Sequence, residues 1–188
     1  MSATPRPALT GTPVLETERL RLRAPVAADF ETFAAHVATD RARYTGGPQD
    51  RAMAWRAFCH MTGHWVLRGY GMFFFTDKTS DDVLGFAGPW FPEGWPEPEL
   101  GWSVMIDAAE GKGYALEAAR AARGFAYDVL GWPTAISLID AANTRSQALA
   151  RRLGCVPEGP GEVLGKPCVI WRHPAPDVLT DGGMEAYA

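Results

Sequence analysis

Leu20 and Leu22 alternate with arginines in residues 16–25, ETERLRLRAP. That period of two predicts a half-buried strand closed by Pro25. Residues 27–39 change period: Phe30, Phe33 and Val37 fall on one side of a short helix. A second helix is expected from Asp50 to Arg68, with Asp50 as N-cap. GMFFFTD and DVLGFAGPW read as two strands joined by the polar turn DKTSDD. The Pro/Trp-rich loop FPEGWPEP follows, then a strand in ELGWSVMID. The segment EGKGYALEAARAARGFAYDVLG is a glycine turn and a long helix, ended by Gly131 and Pro133. TAISLID is a strand, and NTRSQALARRLG is a helix with Asn143 as N-cap and Gly154 just past its end. A terminal strand pair closes the chain, with KPCVIWRH as its last strand. The order is a strand, two helices, three strands, a helix, a strand, a helix and the final pair. It predicts a mixed α/β (α+β) fold around one sheet, without the regular βα alternation of a doubly wound fold.

The length of 188 residues suits one domain with a substantial core. Its expected limits are residues 14–173, between a loose Pro/Thr-rich stretch, 1–13, and a polar, mobile tail, 174–188. Net charge is −4 with no basic block, which argues against general binding to nucleic acid or to an anionic membrane. No apolar run is long enough to cross a bilayer, and the N-terminus lacks a signal-peptide layout. The three cysteines are widely spaced and odd in number, which points to a reducing, cytoplasmic setting.

The chemistry concentrates around the glycine turn. A helix N-terminus carries unpaired N–H groups and partial positive charge. Gly111 and Gly113 at such a junction allow an anion to approach the backbone closely, and Lys112 offers a counter-charge. The same glycines would equally serve a plain strand-to-helix turn. Neither a Walker A loop nor a G-x-G-x-x-G turn is present, since Leu116 stands at the third glycine position. His60 and His64 are four apart on a helix, but no H-E-x-x-H and no cysteine pair accompanies them, so no metal is expected.

Taken in order, ELGW, EGKGYALEA, a strand and NTRSQALARRLG resemble the GNAT N-acetyltransferase superfamily. The resemblance is to its ribosomal-protein-alanine acetyltransferase-like branch and covers about residues 14–173. The family's acetyl-CoA turn, (Gln/Arg)-x-x-Gly-x-(Gly/Ala), falls on Glu110, Gly113 and Ala115. The branch's Gly-Tyr-Ala-x-Glu-Ala run is met by Gly113 to Ala118. Its Asn-x-x-Ser…Leu-Gly run is met by Asn143, Ser146, Leu153 and Gly154. The implied fold is a mostly antiparallel sheet of about six to seven strands flanked by about four helices. Three departures stand out: Glu110 replaces Gln or Arg, Cys155 replaces an aromatic, and Ala150 occupies the place of a tyrosine acid in other branches.

The resemblance implies acetyl transfer from acetyl-CoA to an amine, without a metal. Val104, Met105 and Ile106 would offer backbone groups to the pantetheine amides. Gly111, Lys112, Gly113, Tyr114 and Ala115 would cradle the pyrophosphate, with Glu110 at the head of the turn turned to water. Lys112 and Arg145 are candidates for the outer phosphates, and Asn143 for a further contact. Glu99 is the candidate base, because a protonated amine is no nucleophile. Ser146 is the candidate proton donor to the thiolate. Trp90, Trp95 and Trp102, with Glu117, are candidate acceptor-site residues, since aromatic walls suit an amine. Trp55 and Trp65 are expected in the core. The acceptor is a protein N-terminus or a small-molecule amine, and the protein a monomer or homodimer. The alternative is a GNAT-like module that binds coenzyme A or regulates a partner without catalysis; Glu110 and Ala150 motivate it.

Overall fold

The computed structural model describes residues 8–179. The parts of the expected loose N-terminus and mobile tail at 1–7 and 180–188 lie outside the described residues. Eight strands form one sheet: β1 (Leu15–Glu16), β2 (Leu20–Arg23), β3 (Phe73–Asp77), β4 (Val83–Trp90), β5 (Glu99–Val104), β6 (Ile136–Ile139), β7 (Val156–Val163) and β8 (Lys166–Arg172). Their order in space is β1-β2-β3-β4-β5-β6-β8-β7. Every neighbouring pair is antiparallel except β5–β6. The helices are α1 (Phe30–Val37), α2 (Arg51–Arg68), α3 (Tyr114–Asp128), α4 (Thr144–Arg152) and a single turn, α5 (Pro176–Val178). Among the described residues, no helix is long and apolar enough to cross a membrane.

The run Phe73-Phe74-Phe75 shows how the sheet is covered. Successive side chains of a strand point to opposite faces. Phe74 joins Phe33, Phe58, Phe86 and Met105 under α1 and α2. Phe73 and Phe75 join Leu20, Leu22, Ala118, Ala122 and Phe125 under α3. All three phenylalanines are fully buried, so this strand has helices on both faces. Ala118, Ala122 and Ala126 line α3 where it lies closest to the sheet, and none is exposed.

Local signals settled the helix ends. Asp50 caps α2 by accepting from Met53 N–H at 2.8 Å. Asn143 caps α4 by accepting from Ser146 N–H at 3.2 Å. Gly154 follows α4 in a left-handed conformation, φ +78°. Trp65 is buried as expected, but Trp55 is 52% exposed, edge-on to Phe30 and stacked beside Phe58. The buried stripe of α2 runs through Ala54, Phe58, Met61 and Trp65, and Trp55 lies one position, about 100°, off it. In the terminal pair, β7 carries two prolines and two glycines. It tolerates them because it pairs with β8 alone, at the sheet edge. At the end of the described chain, Tyr127 donates to Pro174 C=O at 2.8 Å, and Leu179 packs against the Tyr127 cluster.

Two glycines separate packing from propensity. A Cβ on Gly85 would sit 2.2 Å from Ser103 C=O and 2.4 Å from the Phe75 ring, whereas one on Gly63, within α2, meets nothing within 4 Å. Gly85→Ala should therefore cost about 1–3 kcal/mol. Gly63→Ala should be neutral or add about 0.5–1 kcal/mol. Urea unfolding midpoints should fall for Gly85→Ala and hold or rise for Gly63→Ala.

Candidate active site

The parallel strands β5 and β6 meet at one register position, Glu99 opposite Ile136, with Ile136 N–H donating to Pro98 C=O at 3.0 Å. In a regular parallel ladder the next rung would run from Leu138 N–H to Leu100 C=O. That rung is absent, and two side chains replace it. Leu138 N–H donates to Glu99 Oε1 at 3.2 Å, and the Ser137 hydroxyl donates to Leu100 C=O at 2.6 Å. His173 stands behind Ser137, its Nε2 2.9 Å from the hydroxyl. Because the hydroxyl already donates to Leu100, Nε2 carries the proton. Burial holds this imidazole neutral, its pKa pushed down to about 3. Beyond this point the strands diverge and leave an open gap.

Glu99 sits at the vertex of the gap. Its second oxygen accepts from Trp95 Nε1–H. Burial raises its pKa above the usual carboxylate value, and the bonds from Trp95 and Leu138 only partly offset that. A carboxylate with a raised pKa is a stronger base once ionised.

The far end of the gap is formed by the glycine turn. Gly111 and Gly113 have φ +73° and +82°, the left-handed region that glycine enters without strain. Gly113 is the N-cap of α3 and brings no side-chain cap. The first helical bond is Glu117 N–H to Gly113 C=O at 3.1 Å, so the N–H groups of Tyr114, Ala115 and Leu116 precede the ladder. From the first turn of α4, the exposed Arg145 side chain reaches Glu110 Oε2 at 2.6 Å and brings a cation toward this helix start. This donor set fits a pyrophosphate.

Glu110 is not turned to water, as its sequence position suggested. Oε1 accepts from Arg41 Nη2 at 2.7 Å and Nε at 3.2 Å, while Oε2 accepts from Arg145. Burial would raise its pKa, but the two guanidiniums outweigh burial and hold it below the usual value. Its negative charge is therefore balanced twice. Arg41 also donates to Val104 and Met105 C=O, so both carbonyls assigned to pantetheine have a partner in this structure. Ile106 C=O accepts from Ala109 N–H at 3.0 Å. Sequence reasoning missed Arg41, which is 69 residues from Glu110 and carries no motif, and Ser137, which reads as an ordinary strand residue.

The acceptor-site candidates divide. Trp95 bonds Glu99, and Trp90 lies edge-on to Trp95 with centroids 6.5 Å apart. Trp90 is buried and stacks on the His64 ring at 4.4 Å. Both His64 nitrogens are engaged, Nδ1 with Tyr70 C=O and Nε2 with Phe91 N–H, so this imidazole is a packing element. Trp102 packs with the α3 and α4 clusters, away from Trp95. The Glu117 carboxylate is tied to Thr17 Oγ1, Arg19 N–H and Arg19 Nε, which joins α3 to the β1–β2 turn. Ser146 lies in the first turn of α4, beside Arg145.

A GNAT acetyltransferase domain model matches residues 19–156. The chain belongs to the GNAT acetyltransferase family. This GNAT protein is 31% identical to the acetyltransferase of Agrobacterium tumefaciens str. C58, over 91% of this chain and 99% of that one, with a TM-score of 0.81. More distant likenesses show the shared fold. One is the ribosomal-protein-S5-alanine acetyltransferase of Vibrio fischeri, at 16% identity over 87% and 97% of the two chains, TM-score 0.67. Another is an aminoglycoside acetyltransferase solved in complex with coenzyme A, at 12% identity over 86% and 98%, TM-score 0.72. Family membership supports N-acetyltransferase activity and use of acetyl-CoA.

The GNAT site makes a prediction about its own electrostatics. Trp95→Phe removes the N–H that stabilises the charged form of Glu99. The Glu99 pKa should move further up, and carboxyl carbon NMR titration of the labelled side chain would read the shift. An unchanged or lower value would count against that hydrogen bond.

Proposed function

We propose that the protein is an acetyl-CoA-dependent N-acetyltransferase that acts on a primary amine by direct attack in a ternary complex. The observation that carries this reading is the β5–β6 gap, with a half-buried carboxylate of raised pKa at its vertex and the α3 N-terminus, with Arg145 reaching in from α4, at its mouth. When bound, acetyl-CoA supplies the thioester acyl group. The N–H groups at 111–115 would hold its pyrophosphate, with Lys112 and Arg145 as outer cations and Asn143 as a further contact. Val104, Met105 and Ile106 would receive its amides.

The chain's own groups have distinct tasks. Glu99 accepts the proton of the entering ammonium, directly or through water, and its raised pKa makes it a stronger base once ionised. Met105 N–H donates to Leu84 C=O across β4, so strand alternation turns Val104 N–H toward the gap. It is placed to stabilise negative charge on a carbonyl oxygen there. Ser146 would relay a proton to the leaving thiolate and recover one from the attacking nitrogen, which loses it as the amide forms. Trp95, backed by Trp90, forms the wall beside Glu99, and a protein N-terminus or a small amine is the acceptor. Compensation of Glu110 by two arginines removes its charge as an argument for a non-catalytic module.

Two measurements test this reading. Coenzyme A at saturating concentration should raise the melting temperature, since a ligand of the native state stabilises it; no shift argues against the site. With an amine that is turned over, the rate should climb with pH through the Glu99 pKa. Glu99→Gln should lose that limb and fall about 10²–10⁴-fold in kcat, with coenzyme A affinity kept. An unaltered rate and pH profile would remove Glu99 as the base.

A further inference from the structure

Arg41 lies on the single turn Asp40–Ala42 that follows α1. Its guanidinium makes five polar contacts. Nε reaches Glu110 Oε1 at 3.2 Å, and Nη2 reaches Glu110 Oε1 at 2.7 Å and Val104 C=O at 3.1 Å. Nη1 reaches Met105 C=O at 2.8 Å and Asp107 Oδ1 at 2.6 Å. Four of these contacts are hydrogen bonds and the fifth is an ion pair with exposed Asp107, so most of the guanidinium's donor capacity is spent within the protein. Three residues on, the Tyr44 hydroxyl donates to Ala142 C=O at 3.2 Å, just past the end of β6. The segment 41–44 is thus tied to the end of β5 at one point and to the end of β6 at another. It straps the mouth of the gap.

Val104 C=O is where strap and ligand collide. The alternation that turns Val104 N–H into the gap turns its C=O the same way. A cofactor amide could share this oxygen's second lone pair, but the guanidinium that spans the Val104 and Met105 carbonyls occupies the space along this edge through which the amide would approach. Met105 C=O is held by the same guanidinium.

We propose that Arg41 and Tyr44 form a latch across the cofactor gap, and that coenzyme A enters by displacing Arg41 from the carbonyls of Val104 and Met105. The inference rests on the reading of the gap as the coenzyme A site. Glu110 is then a positioning residue: it holds Arg41 on the β5 edge when the gap is latched and Arg145 at the mouth. Opening the latch frees the α1–α2 connection, so cofactor entry and the arrangement of the acceptor side are linked.

Stopped-flow tryptophan fluorescence with coenzyme A, together with calorimetric Kd values, tests the latch. In the wild type the observed rate should level off as coenzyme A rises, because opening limits entry. In Arg41→Ala the rate should stay linear with concentration, and Kd should fall about threefold to tenfold, the weight of roughly one net hydrogen bond. Loss of a cation alone works the other way, slowing association with an anionic ligand. Tyr44→Phe changes no charge and keeps the test alive if Arg41→Ala does not fold; it too should bind faster, by about twofold or more. Equal or slower association in these variants overturns the latch while leaving the site intact. A wild type that binds no coenzyme A overturns the site, and the latch with it.

Discussion

A backbone rung is missing between β5 and β6, and the site follows from how that loss is made good. Buried N–H and C=O groups are costly to leave unpaired. Here Leu138 N–H turns to the Glu99 carboxylate, and Leu100 C=O accepts from Ser137. The strands part without orphaning either group. The same substitution draws a carboxylate into a poorly solvated position and raises its pKa. One constraint therefore parts the strands and places a carboxylate of raised pKa at the vertex.

The mouth of the gap follows a second rule, that charge must be balanced locally. An acid at the head of a phosphate turn would work against an anionic ligand. Arg41 and Arg145 surround it, one from the α1–α2 connection and one from α4. The acid thereby becomes the joint of three segments distant in sequence. Glu117 does the same outside the gap, joining α3 to the β1–β2 turn through Thr17 and Arg19.

Much of the fold was legible because its signals are local. The Leu20/Leu22 alternation, the caps Asp50 and Asn143, and Gly154 past α4 need no distant partner. The glycine turn was legible as a left-handed turn into α3 for the same reason, since its φ values and helix start lie within a few residues. The exposure of Trp55 was less legible, because a single position off a helix stripe decides it. β7 was obscured by prolines and glycines, which only an edge position makes tolerable.

The chain order and motifs by themselves determined the family and the mixed α/β sheet, because periodicity, capping and turn chemistry are written in neighbouring residues. Tertiary structure alone decided what each polar side chain does. It set Glu99 against Leu138, Arg41 against Glu110 and Val104, and His173 against Ser137, pairs between 36 and 69 residues apart. The environment of a carboxylate or guanidinium depends on which distant segments surround it, and folding settles that.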